Sequence, residues 1–147
     1  VVVGALVPAG AGEDSVSFLS ALKGQAIKGT RAGVIHHSVD GYFAYRQGKW
    51  KLLLAKGSGG WTSPKEQQVP ADAPKAQLYD MEADPGERIN LYAAHPEVAE
   101  RLLKQLKSDV ERGRSTTGPT AKNDTEDIVL WKNLRRVSGS PKKRTMK

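Results

Sequence analysis

The sequence contains no cysteine, only two methionines and two phenylalanines, and no long uninterrupted apolar run. Without cysteine, the chain forms no disulfide bond, no thiolate metal site and no cysteine nucleophile. A transmembrane helix needs about 20 apolar residues. The apolar residues 1–12 are too few for this and are interrupted by Pro8 and several glycines. The sequence therefore predicts neither a signal peptide nor a membrane span.

Acidic residues are absent from the end of the chain. The 147 residues include 23 Lys and Arg against 16 Asp and Glu, a formal net charge of +7. Seven of the basic residues follow Trp131, so residues 1–131 hold 16 basic and 16 acidic side chains and are neutral. This pattern predicts a neutral domain with a basic, disordered tail over residues 132–147. With no aromatic platform or recognition helix beside it, the tail favours solvation over nucleic-acid binding.

Alternating apolar side chains predict an antiparallel sheet. In residues 49–54, a tryptophan and leucines alternate with lysines, as in a strand with one buried face. Asp40-Gly41 and Gln47-Gly48 are typical of two-residue turns between neighbouring strands. The predicted strands are residues 33–39, 42–46, 49–54 and 77–80.

The strongest helical pattern covers residues 96–112, where apolar side chains recur at four-residue steps. Pro96 suits the first helical position and Gly113 suits a C-terminal stop. Residues 56–76 form a long loop, and loops of this length in compact domains are usually functional or disordered. The predicted fold class is α+β, with a small four-stranded antiparallel sheet packed against one long amphipathic C-terminal helix.

Candidate binding residues are few. Neighbours on a strand point to opposite faces, so His36 and His37 do not chelate one metal ion together. One of them either touches an anionic substrate at the sheet edge or makes ordinary packing contacts. The glycine-rich residues 57–60 resemble a phosphate loop but lack its Lys-Ser/Thr ending. Trp61 either stacks on a sugar or aromatic ring or folds back onto its own domain.

Two motifs follow one another in the region of the predicted sheet. Residues 46–52 read R-x-G-x-W-K-L, and residues 78–91 read L-Y-D-x-x-x-D-P-x-E-x-x-N-L. In combination, and with His95-Pro96 opening the final helix, they resemble the C-terminal part of bacterial arylsulfatase-type sulfatases, in the alkaline-phosphatase-like superfamily. The resemblance extends over about residues 12–131, which is most of the chain.

The resemblance implies two domains with different roles. In such sulfatases a large α/β domain carries the chemistry, and a smaller C-terminal subdomain, a four-stranded antiparallel sheet with a long helix, packs against it. The family hydrolyses sulfate esters through a formylglycine, made within a Cys/Ser-x-Pro-x-Arg motif, beside a calcium ion held by Asp and Asn. Neither version of that motif occurs in this sequence. The implied calcium and formylglycine therefore belong to the catalytic domain, and no catalytic residue or metal ligand is expected in this segment.

The leading hypothesis is a sulfatase C-terminal part that acts with its catalytic domain on aryl or carbohydrate sulfate esters and is inactive alone. The resemblance implies that the subdomain lines the substrate cleft, with His36, His37 and Trp61 as candidate substrate contacts. Its expected partners are the catalytic domain and the sulfate ester, and neither nucleic acid nor a membrane. The family also implies a periplasmic or extracellular location.

The expected organisation has three parts. They are a remnant linker from a missing upstream domain (1–12), the sulfatase subdomain (13–131) and the basic tail (132–147). The alternative hypothesis is a stand-alone glycan- or protein-binding β-module without catalysis, whose exposed sheet face or 57–61 loop captures the ligand.

Overall fold

The computed structural model describes Pro8, residues 11–27 and residues 31–132. The elements are α1 (Leu19–Leu22), β1 (Val34–His37), β2 (Phe43–Gln47), β3 (Trp50–Leu53), a 3₁₀ helix (Glu66–Gln68), β4 (Gln77–Asp80) and α2 (Pro96–Glu111). The strands form one antiparallel sheet in the order β1-β2-β3-β4, so the predicted α+β class is confirmed. Most of the predicted linker and all of the predicted tail except Lys132 lie outside the described residues. Within the described ranges, no helix is both long enough and apolar enough to cross a membrane.

The loop between β1 and β2 differs from the predicted two-residue turn. The Ser38 amide donates to the Tyr42 carbonyl at 3.0 Å, and the Gly41 amide donates to the Ser38 carbonyl at 2.8 Å. The loop therefore holds three residues, 39–41, and Gly41 has a φ of +71°. A three-residue hairpin loop uses such a left-handed residue after its first turn, and glycine adopts it without a steric penalty.

The main core lies between the sheet and α2. Alternation along each strand directs one set of side chains toward the helix, whose apolar stripe covers them. Fully burying one leucine stabilises the fold by roughly 1.5–3 kcal/mol relative to leaving it exposed. The buried members of this core are Tyr45, Leu52, Leu54, Ala76, Leu78, Ala99, Leu102 and Leu106.

One polar pair is buried inside this core. The Tyr45 hydroxyl donates to Asp109 Oδ2 at 2.9 Å, and Gln105 Nε2 donates to Asp109 Oδ1 at 2.9 Å. Asp109 is only 1% exposed, so these two donors replace the water that its carboxylate loses. Burial raises the pKa of Tyr45, and the hydrogen bond to Asp109 and the charge of Asp109 raise it further. A Cβ at Gly33 would lie 2.4 Å from the Tyr45 ring, so the ring requires glycine there.

Residues near the start of the chain are tied to the end of α2. Asp14 Oδ1 accepts the Ser115 amide at 2.6 Å and the Ser115 hydroxyl at 2.7 Å. The Glu13 carbonyl accepts Arg114 Nη2 at 3.2 Å and the Thr116 hydroxyl. Burial alone would raise the pKa of Asp14, but the two bonds from Ser115 and the nearby arginine charges outweigh it and lower the pKa.

The opposite face of the sheet, the outer face, is only partly apolar. The sequence pattern predicts one buried face, yet Leu53 is buried on the outer side as well. It belongs to a second cluster with Tyr42, Ala44 and Ala55. The register places the side chains of His36, Arg46 and Lys51 on this same face.

We expect Tyr45→Phe to lower the free energy of unfolding by about 1–3 kcal/mol, because Asp109 loses one of its two buried donors. Urea titration followed by circular dichroism measures the change. Tyr92→Phe is the matched control, since the Tyr92 hydroxyl makes no hydrogen bond among the described residues, and it should shift stability by less than about 0.5 kcal/mol. Equal unfolding midpoints for the two variants would contradict this role for the pair.

Candidate functional site

The two neighbouring histidines lie on opposite faces of β1. His37 faces α2 and packs its ring edge-on against Phe43, with ring centroids 4.1 Å apart. His36 lies on the outer face, where it pairs in register with Ala44 of the second apolar cluster. The two imidazoles therefore lie in different surroundings and do not contact the same ligand atom.

The surroundings of His36 are positively charged. Its pKa is lowered first by burial and then by the charges of Lys51 and Arg46, while Glu87 partly opposes them. Lys51 Nζ forms an ion pair with Glu87 Oε1 at 2.6 Å, which leaves Arg46 as the cation of this group without a carboxylate partner among the described residues. An anion that approached this face would be attracted to Arg46 and would favour the charged imidazole.

The tip of the long loop carries Trp61, which is 84% exposed. The loop around it is closed by its own hydrogen bonds. The Ser58 amide donates to the Pro64 carbonyl at 2.8 Å, and the Ser58 hydroxyl donates to the Thr62 carbonyl at 2.6 Å. Trp61 thus stands in solvent on an ordered turn, and the alternative that it folds back onto its own domain is not observed.

A carboxylate anchors the base of this loop. Glu66, in the 3₁₀ helix, accepts the Lys56 amide at 3.1 Å and the Gly57 amide at 2.9 Å. A Cβ at Gly57 would lie 2.7 Å from the Pro64 carbonyl oxygen, so the two sides of the loop approach closely enough to require glycine. Part of the long loop predicted from composition is therefore an ordered structure with its own polar core.

The three predicted site residues do not converge. His37 lines a cavity of about 630 Å³ that extends along the C-terminal side of α2. A second cavity, of about 430 Å³, lies between residues 58–67 and the loop that follows β1, next in the chain to Trp61. His36 lines neither cavity. Lys132 also lines the second cavity. The sequence places this residue in the predicted tail, because no local pattern indicates a contact with a loop some seventy residues earlier.

The carboxylates of the second motif hold turns in place. Asp80 accepts Lys49 Nζ at 2.6 Å and also two backbone amides of the following turn, and the hydrogen bond from Lys49 lowers the pKa of Asp80. Asp84 Oδ2 accepts the amides of Arg88 and Ile89 at 2.6 and 2.8 Å. Both side chains satisfy backbone donors that a tight loop leaves unpaired.

The last polar residue of that motif completes the edge of the sheet. Asn90 Oδ1 accepts the Leu78 amide at 3.0 Å, and its amide nitrogen donates to the Ala76 carbonyl at 3.3 Å. The Leu91 amide then bonds the Leu78 carbonyl at 2.8 Å. These bonds show that the end of the motif fixes how this loop covers β4.

Calcium is the metal that the family resemblance implies. Across Pro8, 11–27 and 31–132, no three His, Asp or Glu side chains come together. Asp80 and Asp84, the acidic residues of the motif, are occupied by lysine and backbone donors. The acidic residues of the motif are thus already used in holding turns of the chain.

Known proteins resemble a large part of this chain. An N-acetylgalactosamine-6-O-sulfatase of Bacteroides thetaiotaomicron is 28% identical over 102 residues, which are 69% of this chain and 20% of that protein. A solved structure from work on the metabolism of multiple glycosaminoglycans by the same bacterium is 27% identical, with a TM-score of 0.52. It covers 70% of this chain and 21% of its own length. No protein-family model matches the chain.

The chain is similar to the C-terminal portion of sulfatases. It spans about one fifth of the length of these relatives. The observed order of four strands and a final helix agrees with the architecture that the resemblance implies.

We expect two charge-removing variants to move the pKa of His36 in opposite directions. Arg46→Gln removes a cation and should raise the pKa toward the ordinary value of about 6.5, whereas Glu87→Gln removes an anion and should lower it further. NMR titration of the imidazole protons measures both. The pKa of His36 is lower in the folded chain than in the unfolded chain. Between these two pKa values the unfolded chain binds more protons on His36, so the free energy of unfolding should rise as the pH rises through this range. Shifts of the same sign would contradict the electrostatic assignment.

Proposed function

We propose that this sulfatase segment packs against a sulfatase catalytic domain and forms one wall of the substrate cleft, without supplying catalytic groups itself. The proposal is supported by three observations that agree, namely the motifs, the fold and the length over which the chain matches sulfatases. The chain has the predicted sheet and helix, matches sulfatases over about 70% of its length, and corresponds to only a fifth of theirs.

The region of α1 supports the docking half of the proposal. The helix Leu19–Leu22 has no buried residue of its own. Phe18 is 61% exposed and Leu22 is 62% exposed, and Ile27, a few residues later, is half exposed. Three large apolar side chains so close in sequence and facing water are typical of a surface that another domain covers.

The substrate half of the proposal is a sulfate ester of a carbohydrate. The Bacteroides relative is an N-acetylgalactosamine-6-O-sulfatase. We therefore propose a sulfated N-acetylhexosamine as the substrate class for this chain as well. His36, His37 and Trp61 remain the proposed substrate contacts. Since His36 and His37 lie on opposite faces of β1, at most one of these two histidines meets a given sugar. Trp61 is the best placed of the three because its side chain is 84% exposed.

We expect the purified 147-residue chain to hydrolyse no aryl sulfate, with or without added calcium. The reason is chemical, since the sequence holds no Cys/Ser-x-Pro-x-Arg from which a formylglycine is made. A chromogenic aryl sulfate assay measures turnover, with an intact sulfatase as the positive control. Calcium-dependent turnover by the isolated chain would overturn the proposal that catalysis lies elsewhere.

A chimaera tests the packing directly. We expect a sulfatase in which residues 13–131 of this chain replace the corresponding fifth of the Bacteroides relative to fold and to keep sulfatase activity. In that chimaera, replacing Phe18 and Leu22 by serine should lower the thermal midpoint, because it removes apolar contacts with the catalytic domain. Differential scanning fluorimetry measures the midpoint.

Ile89→Ser is the matched control, since Ile89 is 63% exposed but lies in the loop of the second motif. It should leave the midpoint nearly unchanged. An equal effect of both changes, or none from Phe18 and Leu22, would contradict docking through α1. Size-exclusion chromatography of the isolated chain distinguishes the proposal from the alternative of a stand-alone binding module. A stand-alone module is expected to be a soluble monomer, whereas an uncovered docking face favours oligomers.

A further inference from the structure

The two edges of the sheet differ in how their backbone groups are used. On β4, Asn90 Oδ1 accepts the Leu78 amide and the Leu91 amide donates to the Leu78 carbonyl, so the loop of the second motif covers that edge. β1 is the strand at the other edge. Among the described residues, no group hydrogen-bonds to the side of Val34–His37 that faces away from β2.

The hydrogen-bond pattern identifies which groups of β1 point outward. Residues opposite each other in an antiparallel pair alternate between pairs that exchange hydrogen bonds and pairs that do not. The Ser38 amide donates to the Tyr42 carbonyl at 3.0 Å, so this opposite pair is bonded. The next pair, His37 and Phe43, is not bonded, because the Phe43 carbonyl accepts the amide that follows β3 at 2.8 Å. His37 and Ile35 therefore direct their amides and carbonyls away from β2.

This edge carries none of the features that usually keep an edge strand from pairing. Natural edge strands are commonly protected by charged side chains, proline or a bulge. Residues 34–37 contain no lysine, arginine, carboxylate or proline, and they pair with β2 in unbroken register. His36 and His37 are exposed. An accessible edge of this kind is a template to which another strand can add.

The outward groups fit a second copy of the same strand. When two β1 strands run antiparallel with His36 opposite His36, Ile35 lies opposite His37 of the second copy. Each such pair exchanges two hydrogen bonds, and the two-fold symmetry repeats the exchange. The Ile35 side chain of the second copy then lies about 5 Å from His37. It meets the cavity of about 630 Å³ that Ile35 and His37 line.

Charged groups at the two ends of β1 are complementary in this arrangement. Arg31 precedes the strand and Asp40 follows it, and neither forms an ion pair in the described part of the chain. Asp14, whose pKa the Arg31 charge helps to lower, is bonded to the end of α2, and Lys132 donates to the Asp40 backbone carbonyl. Antiparallel pairing brings the Asp40 end of one copy to the Arg31 end of the other, at both ends of the interface.

We propose that two copies of the chain form a symmetric dimer by pairing their β1 edges, which joins two four-stranded sheets into one. The outward backbone groups of Ile35 and His37 provide the hydrogen bonds, and Asp40 and Arg31 of opposite copies fix the register. The contact is small, so we expect a dissociation constant of about 10–100 µM. The dimer is a property of the segment itself and does not rest on the proposed function.

The test uses the whole 147-residue chain. Sedimentation velocity over about 1–300 µM should show a monomer that becomes mainly dimer as the concentration rises. Amide hydrogen exchange measured by NMR locates the contact. The Ile35 and His37 amides should exchange about threefold or more slowly at the high concentration than at the low one, whereas the His36 amide, bonded to β2, should exchange slowly at both.

A proline variant tests the backbone pairing. His37→Pro removes an outward amide and leaves the bonds between β1 and β2 in place, as proline does on the open side of an edge strand. It should weaken the dimer about tenfold or more, because the symmetric interface loses the bond twice. His37→Ala is the matched control, since it loses the same imidazole and keeps the amide, and it should change the dissociation constant less than about threefold. Circular dichroism checks that both variants are folded.

Exchanging charges tests the register without altering the backbone. Asp40→Arg and Arg31→Asp should each weaken self-association about tenfold, because each places like charges at both ends of the interface. An equimolar mixture of the two variants should form the dimer again, since each end then has one acid and one base. Replacing Phe18 and Leu22 by serine should leave the dimer intact, which separates it from association through α1.

Each contrary result overturns the proposal. A monomer at all concentrations excludes the dimer, and slow exchange of the Ile35 and His37 amides at every concentration means that the edge is covered within one chain. Loss of the dimer only in the variant at Phe18 and Leu22 places the contact at α1. If His37→Pro does not fold, the exchange rates and the mixed charge variants still decide. The proposed function is unaffected, because the chimaera tests packing on the catalytic domain separately.

Discussion

The hydrogen bond between Tyr45 and Asp109 is the constraint on which the rest of the fold depends. It joins the middle of β2 to the last turn of α2 across a core that is otherwise apolar. A buried carboxylate is tolerated only with its donors in place, so the helix and sheet have one acceptable relative position. The position of the Tyr45 ring also requires glycine at residue 33, because the ring occupies the space that a Cβ would take there.

The sheet and helix could be predicted because their signals are local. Strand β4 agrees with its predicted bounds at residues 77–80, and α2 begins at the predicted Pro96 and ends one residue early at Glu111. The loop between β1 and β2 could not be predicted to the residue. Asp40-Gly41 signals a left-handed glycine equally well in a two-residue and in a three-residue loop, and only the pairing of the flanking strands decides between them.

The candidate site was less accessible to prediction. Trp61 can be predicted as a candidate because an aromatic residue among glycines is conspicuous. The cavity beside its loop is completed by Lys132, and that contact depends on tertiary packing alone. The motif that most clearly resembles sulfatases combines buried residues of β4, such as Leu78, with loop and edge-capping residues such as Asp84 and Asn90. The resemblance therefore rests partly on residues that satisfy backbone hydrogen bonds in a tight loop.

The contact of Glu13 and Asp14 with residues 114–116 has a mechanical consequence. It closes a loop of about one hundred residues around the sheet and helix. A pull that arrives through residue 13 is transmitted to the end of α2 before it reaches the edge strand β1. Those bonds must therefore break before tension that arrives through residue 13 reaches the hydrogen bonds of β1.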